Sequence, residues 1–154
     1  MSIQHTARVF AIAAVLVATL PALSPMLSLG GTPVLASPKK GQLLVTKACP
    51  DYDGTAGSFC TIASSNIAEI PAGSKVFYDQ AANMPAGMLD SNVVLVVSPG
   101  NWAVGRCTLE LATYNGLCTF SDGVGQLAGF QGRVAVSPSS AANFLWNGTY
   151  SFLK

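Results

Sequence analysis

The chain has 154 residues, room for one domain or at most two. Half of them are hydrophobic and 10% are charged, which excludes an intrinsically disordered chain. The formal charge of +1 is too small for a nucleic-acid surface or a polybasic membrane anchor.

The first element is an apolar run from Val9 to Leu20, preceded by Arg8. Pro21, Ser24, Pro25, Gly30, Gly31 and Pro33 follow, and Val34-Leu35-Ala36 puts small residues at the −3 and −1 positions of a cleavage site. This pattern predicts a secretory signal peptide over 1–36 and a single domain over 37–154. A membrane anchor is the alternative, but the run before Pro21 is shorter than the ~20 residues a spanning helix needs. Cleavage after Ala36 removes His5, the sole histidine, together with Arg8. The remaining basic and acidic residues then balance, and no stable membrane anchor is expected. Ser37-Pro38-Lys39-Lys40 reads as an N-terminal tail.

Strand patterns fill the rest of the chain. They cover Gln42–Ala48, Phe59–Ile67, Ser74–Gln80, Asn92–Val97, Trp102–Leu111, Gly116–Ser121, Phe130–Ser137 and Phe144–Phe152. Turn signals separate them: Asp53-Gly54, Pro71-Ala72-Gly73, Pro99-Gly100-Asn101, Asn115-Gly116, Asp122-Gly123 and Pro138-Ser139. Short strands at this spacing predict an all-β fold, an antiparallel sandwich or barrel. Alternation is clearest from Val104 to Leu111. Gly105, Cys107, Leu109 and Leu111 share one face, and Arg106, Thr108 and Glu110 the other. Val93 to Val97 is apolar without alternation, which predicts burial on both sides. A short helical turn near Ala81–Ala86 is a further candidate, limited by Pro85.

Cys49, Cys60, Cys107 and Cys118 are an even set after an export signal, which reads as two disulfides. Pairing Cys49 with Cys60 and Cys107 with Cys118 clips residues eleven apart in each case. A two-residue turn at Asn115-Gly116 conflicts with the second pair, because it would set Cys107 far from Cys118 along the ladder. Either that turn is longer and irregular, or Cys60 pairs with Cys118. No metal is expected: there is no C-x-x-C spacing and no histidine beyond residue 36.

Motifs that carry chemistry are few. Gly123-Val124-Gly125-Gln126-Leu127-Ala128 matches a dinucleotide fingerprint in letters, but a strand-like run follows where the fingerprint needs a helix. It reads as a glycine-rich turn, and no cofactor is expected. Ser-His-Asp and Cys-His mechanisms lack their base once the signal is gone. Asp79, Asp90, Glu110 and Asp122 are candidate carboxylates with no spacing that pairs them. Arg106 and Glu110, joined by Arg133, could orient the polar end of a ligand inside a barrel, or else form an exposed ion pair. Tyr78, Trp102, Trp146 and Tyr150 are candidate cavity lining or plain core. Asn147-Gly148-Thr149 is a glycosylation sequon inside the last strand.

The stretch "CTFSDGVGQLAGFQGRVAVS", followed by "WNGTYSF", resembles the C-terminal half of the allene oxide cyclase/dirigent-like, calycin-type barrel superfamily. Asp122-Gly123-Val124-Gly125 stands at that group's G-G-T-G turn, Leu127 at its aromatic position and Gly129 at its last glycine. Val124 replaces its Thr and Leu127 its Phe. "FCTIASSNI" and "IPAGSKVFY" look like segments of small secreted bacterial members. The resemblance implies an eight-stranded antiparallel barrel with a shaped apolar cavity. Three functions follow as expectations: an exported barrel binding an apolar or amphipathic small molecule without catalysis; a cyclase or isomerase of the family's kind, gripping its ligand through Arg106, Glu110 or Arg133; or a structural barrel with no ligand.

Overall fold

A computed structural model describes residues 39–153. The predicted signal peptide, with His5 and Arg8, lies outside the described residues, as do Ser37 and Pro38 of the predicted tail. Eight strands close into one antiparallel barrel in sequence order. They are β1 (Lys40–Ala48), β2 (Phe59–Ser65), β3 (Lys75–Tyr78), β4 (Met88–Ser98), β5 (Asn101–Glu110), β6 (Gly116–Val124), β7 (Phe130–Ser140) and β8 (Asn143–Phe152). The barrel closes where β1 pairs with β8, from Lys40 opposite Ser151 to Ala48 opposite Asn143. Lys40 is therefore a strand residue rather than part of a tail.

Side chains alternate along each strand, so one face of every strand points into the barrel. Leu43, Val76, Val93, Leu95 and Val134 fill the waist and are fully buried. Phe120 packs against Phe130 and Trp146 inside the barrel, with ring centroids 6.0 and 5.3 Å away. The outward face carries Lys75, Asp90, Arg106 and Arg133, all exposed. An apolar interior with charges outside is the reverse of a water-filled membrane barrel. Among the described residues, no helix is long and apolar enough to cross a membrane.

Two local expectations need correction, and the alternative left open at Asn115-Gly116 is decided. Val94 and Val96 are half-buried on the outer wall, while Val97, at a bulge, packs against the core, so the Val93–Val97 run is not enclosed on both sides. That run is part of the longer β4, which a closed barrel covers on its inner face only. Residues 81–86 form no helical turn; a bridge between Asn83 and Met88 folds that loop back on itself. Asn115-Gly116 is not a two-residue turn. Leu109 faces Gly116, and Glu110 N–H donates to Asn115 O at 2.9 Å, leaving a longer loop with Tyr114 at φ 55°. Gly116 is required there, because a Cβ would meet the Thr108 carbonyl.

This longer loop brings Cys107 directly opposite Cys118 on neighbouring strands. Both local disulfides form: Cys49–Cys60, with Cα atoms 4.2 Å apart, and Cys107–Cys118, 4.1 Å apart. The glycine-rich segment is a single 3-10 turn, Gly125–Leu127, between two strands. It burial-packs Leu127 at one end of the barrel, where the β2–β3 loop buries Ile67 and Ile70.

Candidate functional site

The opposite end of the barrel is open. The β1–β2, β3–β4, β5–β6 and β7–β8 loops all gather there, because antiparallel neighbours place alternate connections at the same end. Backbone hydrogen bonds tie these loops together: Cys49 N–H to Ala142 O at 2.8 Å, Ala82 N–H to Gly54 O at 2.9 Å, and Leu111 N–H to Gly87 O at 2.8 Å. Between them lies a cavity of about 520 Å³ walled by Tyr52, Ala82, Met84, Leu111, Tyr114 and Phe144, among others. Its lining is predominantly apolar. A narrower space of about 70 Å³ shares the walls Cys49, Tyr52, Leu111, Tyr114 and Phe144 and adds Lys47, Tyr78, Leu89 and Leu109. The two form one funnel, with Lys47 at the narrow part.

Lys47 reaches this position by strand alternation. Leu43, Val45 and Lys47 lie on the inward face of β1, one after another. Beside it β2 holds one extra residue: Thr46 faces Ser64 and Lys47 faces Ile62, leaving Ala63 bulged. The Lys47 side chain is 1% exposed. Its ammonium stands 5.2, 5.4 and 5.3 Å from the ring centroids of Tyr78, Phe144 and Trp146, within cation–π range. Its Nζ donates to the Tyr78 hydroxyl. Neither salt bridge among the described residues involves Lys47. Burial pushes its pKa down to about 7, because removing water disfavours the charged form. Burial and nearby Tyr52 push the Tyr78 hydroxyl up. Burial, helped by Asp53, does the same to Tyr52. The Tyr52 hydroxyl and the Trp146 indole N–H are both buried without an acceptor.

The residues singled out from the sequence divide by face. Tyr78 and Trp146 point inward and surround Lys47. Trp102, Arg106, Glu110 and Arg133 are on the outside. Arg106 does not pair with Glu110. It makes a two-pronged ion pair with Asp90, at 2.8 and 2.6 Å, since Asp90 on β4 is diagonally opposite. Glu110 instead accepts from the Thr113 hydroxyl at 2.8 Å. Tyr150 is half-buried against Phe152 at the far end. The carboxylates Asp79, Asp90, Glu110 and Asp122 line neither part of the funnel, and no group of three His, Cys, Asp or Glu that could hold a metal gathers among the described residues. Asn147 of the sequon projects outward from β8 and accepts from the Gln42 side chain at 3.3 Å.

Sequence reasoning missed Lys47, Tyr52, Tyr114 and Phe144. A signal for Lys47 was present: a lysine two residues after Val45 and four after Leu43 falls on the apolar face of its strand. Comparison of the chain with protein-family models, with characterised proteins and with solved structures finds no match in any of the three.

Proposed function

We propose that the protein is exported and binds an apolar or amphipathic small molecule in the funnel at the open end of the barrel. The observation that carries this reading is the pairing of a largely apolar cavity with a few buried polar groups at its base. Sites for small molecules combine those two features, and barrel mouths are a common place for them. Two disulfides in so small a chain agree with an oxidising compartment. The likeness of the 118–137 stretch to allene oxide cyclase and dirigent-like barrels agrees with it too, since such barrels bind through a shaped apolar interior.

The non-catalytic form of the proposal is favoured over the cyclase form by where the charges stand. Arg106, Glu110 and Arg133, the groups expected to grip a reacting ligand, are exposed on the outer wall and line neither part of the funnel. Titration with the neutral apolar fluorophore N-phenyl-1-naphthylamine tests the reading. Saturable enhancement is expected, and Leu111→Trp, which fills the shared wall, should weaken it at least tenfold. Absence of saturable enhancement with the folded wild-type chain refutes the reading.

A further inference from the structure

The funnel ends on a buried cation that has no counter-ion. Lys47 carries three N–H donors when charged, and one is used by Tyr78. The facing rings of Tyr78, Phe144 and Trp146 offer π-faces but no negative charge. The remaining groups around the narrow space are Leu89, Leu109, Leu111, the Cys49–Cys60 disulfide and the half-exposed Tyr114, none of which is hydrogen-bonded to Lys47. Tyr52 lines both parts of the funnel, and its buried hydroxyl has no acceptor. Spare donors and a charge without a counter-ion at the bottom of an apolar cavity suit one class of partner. The complement of such a site is a small anionic acceptor attached to an apolar body.

We propose that the ligand is an apolar monocarboxylic acid, bound with its chain in the wide part of the funnel and its carboxylate against Lys47 and Tyr52. This rests on the small-molecule reading above and names the class of molecule. The space fits the head group. A cavity needs roughly 10–15 Å³ to hold one water, and about 70 Å³ is present around Lys47. A charge-assisted N–H···O bond is about twice as strong as a neutral one, and stronger still where water is excluded. An alcohol or ester of the same chain length fills the same apolar volume without supplying the charge. The acid should therefore be preferred by its head, not by its tail.

Displacement of bound N-phenyl-1-naphthylamine by decanoate, decanol and methyl decanoate at pH 7 tests this on the intact disulfide-bonded chain. Decanoate is expected to displace the probe at a concentration at least tenfold lower than either neutral analogue. Lys47→Met should bring the three within about twofold of one another while the probe still binds. Equal potency of the three on the wild-type chain overturns the carboxylate assignment and leaves the cavity reading standing. Failure of the probe to bind the wild-type chain overturns both. The wild-type comparison decides the question even if Lys47→Met does not fold.

Discussion

The buried Lys47 makes an unusual demand on the pH dependence of stability. An ammonium in the unfolded chain keeps its proton up to about pH 10.5, the ordinary lysine value. In the folded barrel it releases the proton near pH 7. Between these values the unfolded state binds the additional proton, so raising the pH stabilises the fold. Below pH 7 both states are protonated and the penalty for burying the charge is present in full. One pKa unit corresponds to about 1.4 kcal/mol, so the penalty is about 4 kcal/mol at pH 7 and about 1 kcal/mol at pH 9.5. The expected gain over that range is about 3 kcal/mol, a large part of a small domain's stability.

Other groups do not obscure it. Tyr114 on the β5–β6 loop lines the same narrow space; the other titratable neighbours of Lys47 are Tyr78 on β3 and Tyr52 on the β1–β2 loop, both pushed upward. They hold their protons in the folded state and lower stability only as the pH passes about 10. Phe144 and Trp146 on β8 do not titrate, and Cys49 and Cys60 are bonded to each other. Urea unfolding followed by tryptophan fluorescence at pH 7, 8 and 9.5 should show the midpoint rising steadily. Lys47→Met, nearly equal in volume, should be more stable than the wild type at pH 7 and should lose the rise. A wild-type midpoint that is flat from pH 7 to 9.5, or an undiminished slope in the variant, refutes the account of a dry, unpaired lysine.

Two further outcomes follow from parts of the molecule away from the funnel. Each disulfide closes a loop of eleven residues, for which chain entropy predicts about 3 kcal/mol of stabilisation; Cys107→Ser combined with Cys118→Ser should lower the unfolding free energy by about that amount, as read by urea titration. The Arg106–Asp90 pair is on the surface, with side chains 59% and 46% exposed, so Arg106→Ala should cost under about 1 kcal/mol and leave probe binding unchanged.

Much of the fold was legible because strands write their inward face into the sequence every second residue. Val104 to Leu111 showed this directly, and the structure buries Cys107 and Leu109 as the alternation required. The local disulfides were legible from spacing, but their geometry was not. It depended on the loop between Glu110 and Asn115, where a positive φ at Tyr114 replaces the tight turn that Asn115-Gly116 suggested. The site was less legible for a related reason. A lysine is normally assigned to solvent, since burying its charge is costly, and that expectation hid Lys47 despite its place beside Leu43 and Val45. Arg106 and Glu110 attracted notice as charges at regular spacing. In a closed barrel that spacing puts them on the outer wall. The partners of Lys47 come from β3, β8 and the β1–β2 loop, and nothing local in the sequence announces that they meet.

The β1–β8 seam has a consequence for how the chain reaches this form. Every other strand pairs with its neighbour in sequence, so those contacts can form as hairpins. The seam joins Lys40 to Ser151 and Ala48 to Asn143, across nearly the whole domain. Until β8 is available, β1 and β7 each present an unpaired edge that can capture another strand. No intermediate lacking Asn143–Phe152 can close. Closure of such a long loop is an entropically expensive, slow step. A chain synthesised from its N-terminus would thus remain open-edged, and exposed to wrong pairing, until the ten residues of β8 arrive.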